Sequence, residues 1–118
     1  MTWNLFIDDE RNEIDVTWAP RWVREKYRNE EWIAARNWDD VVYLLMIKGF
    51  PQFISFDHDL GKEEKTGYDI AKLLVTYLMD GAFELPDGFD YYVHSKNPIG
   101  KQNIEAYLDN YMKVEGVE

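Results

Sequence analysis

The chain alternates between compact apolar runs and longer stretches in which apolar residues recur every three or four positions. The apolar runs at 2–7, 51–56 and 91–93 predict buried strands, and the short run at 31–36 is compatible with a fourth. Each run is shorter than a typical helix and is followed by polar or turn-forming residues. These runs predict a sheet of four short strands.

Four helices are predicted between and after these strands. A weak apolar stripe follows Pro20, which can occupy the first position of a helix because its missing N–H is not needed there. Asn37 and Thr66 precede the second and third helices as N-caps, and Gly49 marks the end of the second. The fourth helix opens at Asn97.

Strands and helices therefore alternate along the chain. This order predicts an α/β fold in which a mostly parallel sheet carries helices on both faces. The length of 118 residues fits one domain, so residues 1–118 are expected to form a single domain. In open sheets of this class, ligands bind beyond the carboxyl ends of the strands.

Composition narrows the class of protein. Apolar residues make up 46% and aromatic residues 16%, which is enough to build a core and excludes a disordered chain. No apolar run approaches the roughly 20 residues of a membrane span, and the first residues lack the features of a secretory signal. The absence of cysteine excludes disulfides, thiolate metal sites and thiol nucleophiles. We expect a cytoplasmic protein with no membrane partner.

The chain has a strongly negative net charge. The chain has 13 Lys and Arg against 23 Asp and Glu, a formal net charge of −10. This balance argues against duplex DNA as a partner, because phosphate backbones are bound by cationic surfaces. Small anionic substrates remain possible partners, because a bound divalent cation can reverse the electrostatic field around acidic residues. The segment 21–36 has five cations against three anions, and we interpret it as a solvated helix face rather than a binding patch.

Three of the predicted strands end in clusters of polar residues. Strands of a parallel sheet are buried on both faces, so polar side chains at their ends should lie at the mouth of the sheet. The clusters occupy positions 8–10, 57–59 and 94–95 and include both histidines of the chain. Their convergence predicts a functional site at this edge.

The carboxylates of Asp8, Asp9 and Asp57 predict a site for Mg²⁺ or Mn²⁺. Hard divalent cations take oxygen ligands, and three close carboxylates repel one another unless a cation or protons intervene. Strand termination alone would explain Asp8 and Asp9, but Asp57 on a neighbouring strand favours the metal. Asp59 either offers its backbone carbonyl to the metal or caps the following loop, and we favour the cap.

The segment 95–100 predicts an anion site as well as a helix start. Asn97 can cap the helix and Gly100 allows close approach, so the N-terminal amides would face the same mouth, flanked by Lys96 and Lys101. An ordinary well-capped helix explains these residues equally well. Arg11 is either a phosphate clamp, since a guanidinium matches phosphate in bidentate geometry, or an ordinary surface residue.

These motifs resemble the response-regulator receiver domain. The segment 6–10 is similar to the receiver's first strand and acidic pair, Asp57 to its phosphoacceptor, and Ser95 to the hydroxyl residue after its fourth strand. A closer resemblance is to the family of cyclic-phosphate processing receiver domains, which leaves 13–30 poorly covered. The similar motifs are DDERN at 8–12, SFDHDLG at 55–61, TGYD at 66–69 and HSxNPxG at 94–100.

The resemblance implies a receiver-like (flavodoxin-like) three-layer sandwich with a four-stranded sheet. It also implies phosphate chemistry on a partner that is a small nucleotide or an RNA end bearing a cyclic phosphate. One feature departs from the ordinary receiver: only one helix fits after Ser95, with no fifth strand and no terminal lysine. That lysine normally answers phosphorylation of the aspartate, so its absence argues against a phosphorelay switch.

The leading hypothesis is a metal-dependent phosphoesterase acting on a cyclic phosphate, in particular a 2′,3′-cyclic terminus. In it Asp57 is a metal ligand or a transient nucleophile, His58 and His94 are acid and base, and Ser95 helps to hold the phosphate. Each histidine is equally well explained as a structural residue.

The main alternative is a non-enzymatic receiver that is phosphorylated on Asp57 and switches a partner. A degenerate binding module is a third hypothesis, and a miniature haloacid-dehalogenase-like phosphatase ranks last because little chain follows Asp59.

Overall fold

Four strands form one all-parallel sheet in the computed structural model, which describes residues 2–62 and 64–116. The strands are β1 (Asn4–Ile7), β2 (Trp32–Ala35), β3 (Phe53–Phe56) and β4 (Asp90–Val93), arranged in the order β2-β1-β3-β4. The expected four-stranded parallel sheet is therefore confirmed. The chain crosses from β2 to β3, which places the topological switch point between β1 and β3.

The helices follow the predicted order. They are α1 (Arg21–Asn29), α2 (Trp38–Lys48), α3 (Gly67–Met79) and α4 (Pro98–Val114), with a 3-10 turn at Glu13–Asp15 before α1. Asn37, Thr66 and Asn97 form the expected caps, each accepting a backbone N–H from the residue three positions on. Pro20 precedes α1 as its N-cap instead of opening it, because its ψ of 156° is extended. Within the described ranges, no helix has the length and apolarity to cross a bilayer.

The two faces of the sheet pack against different helices. Leu5 and Ile7 belong to the larger core, which lies against α2, α3 and α4. Phe6 points to the other face and packs with Val23 and Tyr27 of α1. This alternation follows from the two-residue period of a strand and gives the expected three layers.

The carboxyl ends of three strands are level. Ile7 lies opposite Phe56, and Phe56 lies opposite Val93. The hydrogen bonding continues one step further, since the amide of Asp57 donates to Ile7 at 2.8 Å and the amide of His94 to Phe56 at 2.9 Å. The first residue after each of β1, β3 and β4 is therefore held in one row at the sheet edge.

Candidate functional site

The residues directly after β1, β3 and β4 form one cluster. They are Asp8, Asp57 and His94, and one ligand atom from each lies within 4.8 Å of the others. At most 6% of each residue is exposed to solvent. The level strand ends thus bring the three predicted polar clusters together.

Asp8 is surrounded by hydrogen-bond donors. The amides of Glu10 and Arg11 donate to its Oδ1 at 2.9 and 2.8 Å, and His94 Nε2 lies 3.0 Å from its Oδ2. Burial by itself would raise the pKa of Asp8, but the hydrogen bonds from His94 and the two amides outweigh it and hold the pKa well below its usual range. Because an ionised carboxylate only accepts hydrogen bonds, His94 Nε2 carries the proton in this contact.

Asp57 is shifted in the opposite direction. Burial raises its pKa, and the negative charge of Asp8 raises it further. The amide of His58 donates to Asp57 Oδ1 at 2.8 Å, and this bond and the nearby hydroxyl of Ser95 offset part of the rise in pKa. The guanidinium of Arg11 lies 3.4 Å from Asp8 Oδ2 and 4.0 Å from Asp57 Oδ2, so one partly exposed cation faces two buried acids. A second cation at this point would relieve the remaining repulsion.

The cluster of Asp8, Asp57 and His94 fits a divalent metal ion. A metal–ligand distance of about 2.1 Å places two ligands of one ion at most about 4.2 Å apart, so ligand atoms that lie within 4.8 Å of one another need only draw slightly together to bind one ion. Carboxylate oxygens suit both Mg²⁺ and Mn²⁺, so Asp8 and Asp57 would be the first ligands. His94 would become a ligand only after Nε2 loses the proton that it donates to Asp8. Asp9, expected as a third carboxylate ligand, is outside this cluster among the described residues and lines the adjacent cavity.

A cavity of about 500 Å³ opens at this edge of the sheet. Its wall combines acidic groups with nitrogen donors. The acids are Asp9, Glu10, Asp57 and Asp59, and the donors are Arg11, Lys96 and Asn97. Ser95 completes the part of the wall next to Asp57. A bare anion would be repelled by the four acids, whereas a phosphate that arrives with a metal ion would find partners for both charges.

A buried chain of hydrogen bonds supports His94 from the α1 side. The hydroxyl of Tyr27 lies 2.6 Å from Ser55 Oγ, which in turn lies 2.7 Å from His94 Nδ1. The ring of Phe6 stacks on the imidazole with 4.5 Å between the centroids and an interplanar angle of 4°. No part of His94 is exposed, and it is not among the described residues of the cavity wall. These contacts aim its Nε2 at Asp8.

His58 packs on the start of α4 and is likewise outside the described cavity wall. A Cβ atom on Gly100 would lie 2.3 Å from Cγ of the imidazole, so only glycine admits the ring at this distance. Nδ1 of His58 lies 3.0 Å from Asp59 Oδ1, and this hydrogen bond holds the pKa of Asp59 below its usual range. Asp59 also accepts from Asn97 at 3.2 Å, so it links two strand-end loops where a cap of its own loop was expected.

The four residues expected to hold phosphate separate into two pairs. Arg11 and Asn97 line the cavity, whereas Gly100 and Lys101 are outside its described wall. The amide of Gly100 already donates to Asn97 Oδ1 at 3.0 Å, and the ammonium of Lys101 lies 5.0 Å from the centre of an aromatic ring. Lys96 provides the lysine on the cavity wall. The cap residue Asn97 therefore already accepts the hydrogen bond that the amide of Gly100 would offer to a phosphate.

The model of the cyclic-phosphate processing receiver domain family matches residues 3–110. This chain belongs to that family. The match includes all four strands and every residue of the cluster, so the resemblance of the sequence motifs and the receiver-like fold are confirmed. No curated protein and no solved structure matches the chain.

The structure of this receiver domain also reveals site residues that the sequence pattern did not single out. Arg36 follows β2 and donates through Nη1 to the carbonyl oxygens of Asp8, at 3.0 Å, and of Arg11, and through Nη2 to Asn12 Oδ1 at 2.6 Å. It therefore fastens the loop whose amides hold Asp8. Its position directly after a strand was the available indication, because the residue after β2 lies beside the residue after β1. Trp18 is the other such residue and contacts both Arg11 and Lys96.

Proposed function

We propose that this receiver domain is a metal-dependent phosphoesterase that opens cyclic phosphates, with the 2′,3′-cyclic end of a nucleotide or RNA as its substrate class. The observation that carries the proposal is the buried cluster of Asp8, Asp57 and His94 beside a cavity that also presents Arg11 and Lys96. The family description supports cyclic phosphate as the substrate. The net charge of −10 supports recognition of one phosphate group rather than a long stretch of nucleic acid.

The proposed reaction adds one water molecule to the phosphorus atom and breaks one of the two ester bonds in the ring. The released sugar oxygen takes up a proton, and the phosphate remains attached as a monoester. A divalent ion held by Asp8 and Asp57, with His94 orienting Asp8, would supply charge neutralisation and a more acidic water molecule. Arg11 and Lys96 would balance the remaining charge on the phosphate oxygens, and Ser95 would offer its hydroxyl.

The two histidines take different roles in this proposal. His94 is fully buried, so it acts as a positioning residue through Asp8, whose carboxylate it holds at 3.0 Å. His58 is paired with Asp59, and Asp59 lines the cavity. We therefore assign proton transfer to the pair of His58 and Asp59.

A second function is favoured by the place of Asp57. Asp57 and Ser95 both line the cavity, which resembles the phosphoacceptor arrangement of a receiver. In this alternative Asp57 accepts a phosphoryl group, no ester is turned over, and the domain switches a partner.

Phosphorus NMR distinguishes the two functions. The protein is incubated with Mg²⁺ or Mn²⁺ and either a 2′,3′-cyclic nucleotide or acetyl phosphate. The phosphoesterase predicts many turnovers of the cyclic ester to a monophosphate, abolished by Asp57→Asn and retained by Asp87→Asn, a change at an exposed acid between α3 and β4. Stoichiometric phosphorylation of Asp57 by acetyl phosphate, with the cyclic ester unchanged, would overturn the enzyme and support the switch.

A further inference from the structure

Trp18 contacts both cations of the cavity wall. It lies between the 3-10 turn and α1, in the part of the chain that the family motifs covered least. The guanidinium carbon of Arg11 lies 5.1 Å from the centre of its ring, and the ammonium of Lys96 lies 4.2 Å from it. Both distances are within the range of a cation–π contact.

The indole is fixed by contacts of its own. Its Nε1 donates to the carbonyl oxygen of His94 at 2.9 Å, which ties the ring to the end of β4. Val16 and Ala19, on either side of it in sequence, are buried against Phe6. Trp18 as a whole is 37% exposed, so it is held by this hydrogen bond while part of it stays open to solvent.

The two cations need such a partner because they come from different loops. Arg11 follows β1 and Lys96 follows β4, and without an anion between them their charges repel. The acidic partners of Arg11 are Asp8 and Asp57, and none within 4.0 Å of Lys96 is found in the described part of the chain. The negative face of an indole attracts both without cancelling their charge.

We propose that Trp18 is a positioning residue that gathers Arg11 and Lys96 on the cavity wall, so that both cations meet one phosphate group. The inference rests on the proposed function, since it requires a phosphate in this cavity. Trp18 acts through the two cations and through its hydrogen bond to the strand end that carries His94. The segment before α1 thereby contributes to the specificity of the site for an anion.

Binding of inorganic phosphate in the presence of saturating Mn²⁺ tests this role, because it does not depend on turnover. Trp18→Leu removes the aromatic face, Trp18→Phe retains a ring without the indole N–H, and Trp22→Leu is the control at a tryptophan that contacts Phe53. Calorimetric titration should show phosphate binding weakened about tenfold by Trp18→Leu, less by Trp18→Phe, and unchanged by Trp22→Leu. Affinity for Mn²⁺ alone should stay within about twofold in all three.

A double-mutant cycle with Lys96→Gln tests whether Trp18 affects phosphate binding through Lys96. If Trp18 acts through Lys96, then Trp18→Leu costs less phosphate affinity in the Lys96→Gln background than in the wild type. Full additivity of the two changes would contradict that route.

Other outcomes separate this inference from the proposed function. Equal phosphate affinity in the wild type and Trp18→Leu would overturn the inference alone. A parallel loss of Mn²⁺ affinity and thermal stability in Trp18→Leu would also overturn it, because the role would then be structural support. A wild type that binds phosphate through Trp18 but opens no cyclic ester would retain the inference and overturn the phosphoesterase.

Discussion

The negative charge of Asp57 lowers the stability of the folded chain when no metal is bound. Its pKa is raised by burial and by Asp8, so the folded state binds its proton more tightly than the unfolded state does. Stability therefore falls as pH rises from the unfolded pKa of about 3.9 through the raised folded value. At neutral pH, Asp57→Asn should stabilise the metal-free chain by about 1 kcal/mol, or about 4 °C in Tm.

Scanning calorimetry without metal measures this change, with Asp87→Asn as the exposed control. Addition of Mg²⁺ or Mn²⁺ should raise the Tm of the wild type and leave Asp57→Asn unchanged, since only the wild type keeps both acids. A lower Tm for metal-free Asp57→Asn would show that Arg11 already compensates the buried charge.

Ser55 is the central member of the hydrogen-bond chain behind His94. Tyr27→Phe removes one hydroxyl and leaves Ser55 bonded to His94, whereas Ser55→Ala leaves the Tyr27 hydroxyl and His94 Nδ1 buried without this partner. We expect losses of about 1 kcal/mol for Tyr27→Phe and about 2 kcal/mol or more for Ser55→Ala. Urea unfolding measures both, and an equal or greater loss for Tyr27→Phe would contradict this arrangement.

Two helices carry in their first turn a glycine that the site requires: Gly67 begins α3, and Gly100 is the third residue of α4. A Cβ atom on Gly67 would lie 1.9 Å from the carbonyl oxygen of Asp57, and one on Gly100 would lie 2.3 Å from the ring of His58. Alanine ordinarily stabilises a helix by about 1 kcal/mol over glycine, but these contacts reverse the sign. Gly67→Ala should be the more destabilising, because a backbone carbonyl cannot move aside as a side chain can.

Chemical denaturation of both variants, with and without His58→Ala, tests the cause. Removing the ring should rescue most of the loss in Gly100→Ala and none of it in Gly67→Ala. A Gly100→Ala protein that is unaffected by His58→Ala would show that the imidazole is not what excludes the Cβ atom.

The elements were predictable where the pattern of apolar residues was complete. Ile70, Leu74 and their neighbours follow helical spacing along all of α3, and Thr66 caps it as expected. The segment 13–18 has no such period, so its 3-10 turn and its role beside Phe6 could not be deduced. These contacts depend on where the chain folds back rather than on spacing along it.

The site was predictable as a meeting of strand ends but not in its detail. Level parallel strands made the convergence of Asp8 and Asp57 foreseeable. Which of two neighbouring residues points inward depends on where the strand's alternation stops, and the sequence does not reveal this. As a result His94 joins the cluster, whereas Asp9 faces the cavity.

Over the whole molecule, the charge of −10 makes metal and phosphate binding interdependent. The cavity wall holds four carboxylates beside its two cations, so phosphate alone meets repulsion. Calorimetric titration of phosphate should detect binding with saturating Mg²⁺ or Mn²⁺ and at least tenfold weaker binding, on the order of 1.4 kcal/mol, in EDTA. Equal affinity with and without metal would show that Arg11 and Lys96 suffice.

We expect the buried acids at the sheet edge to form a divalent metal centre. Titration of the metal-free protein with Mn²⁺ at several pH values, followed by electron paramagnetic resonance, measures this binding. We predict one bound ion per chain, with affinity falling as pH drops through the raised pKa of Asp57, because the proton competes with the metal. Asp57→Asn should abolish this binding and Asp87→Asn should preserve it. No binding by the wild type, or binding that persists unchanged in Asp57→Asn, would contradict this expectation.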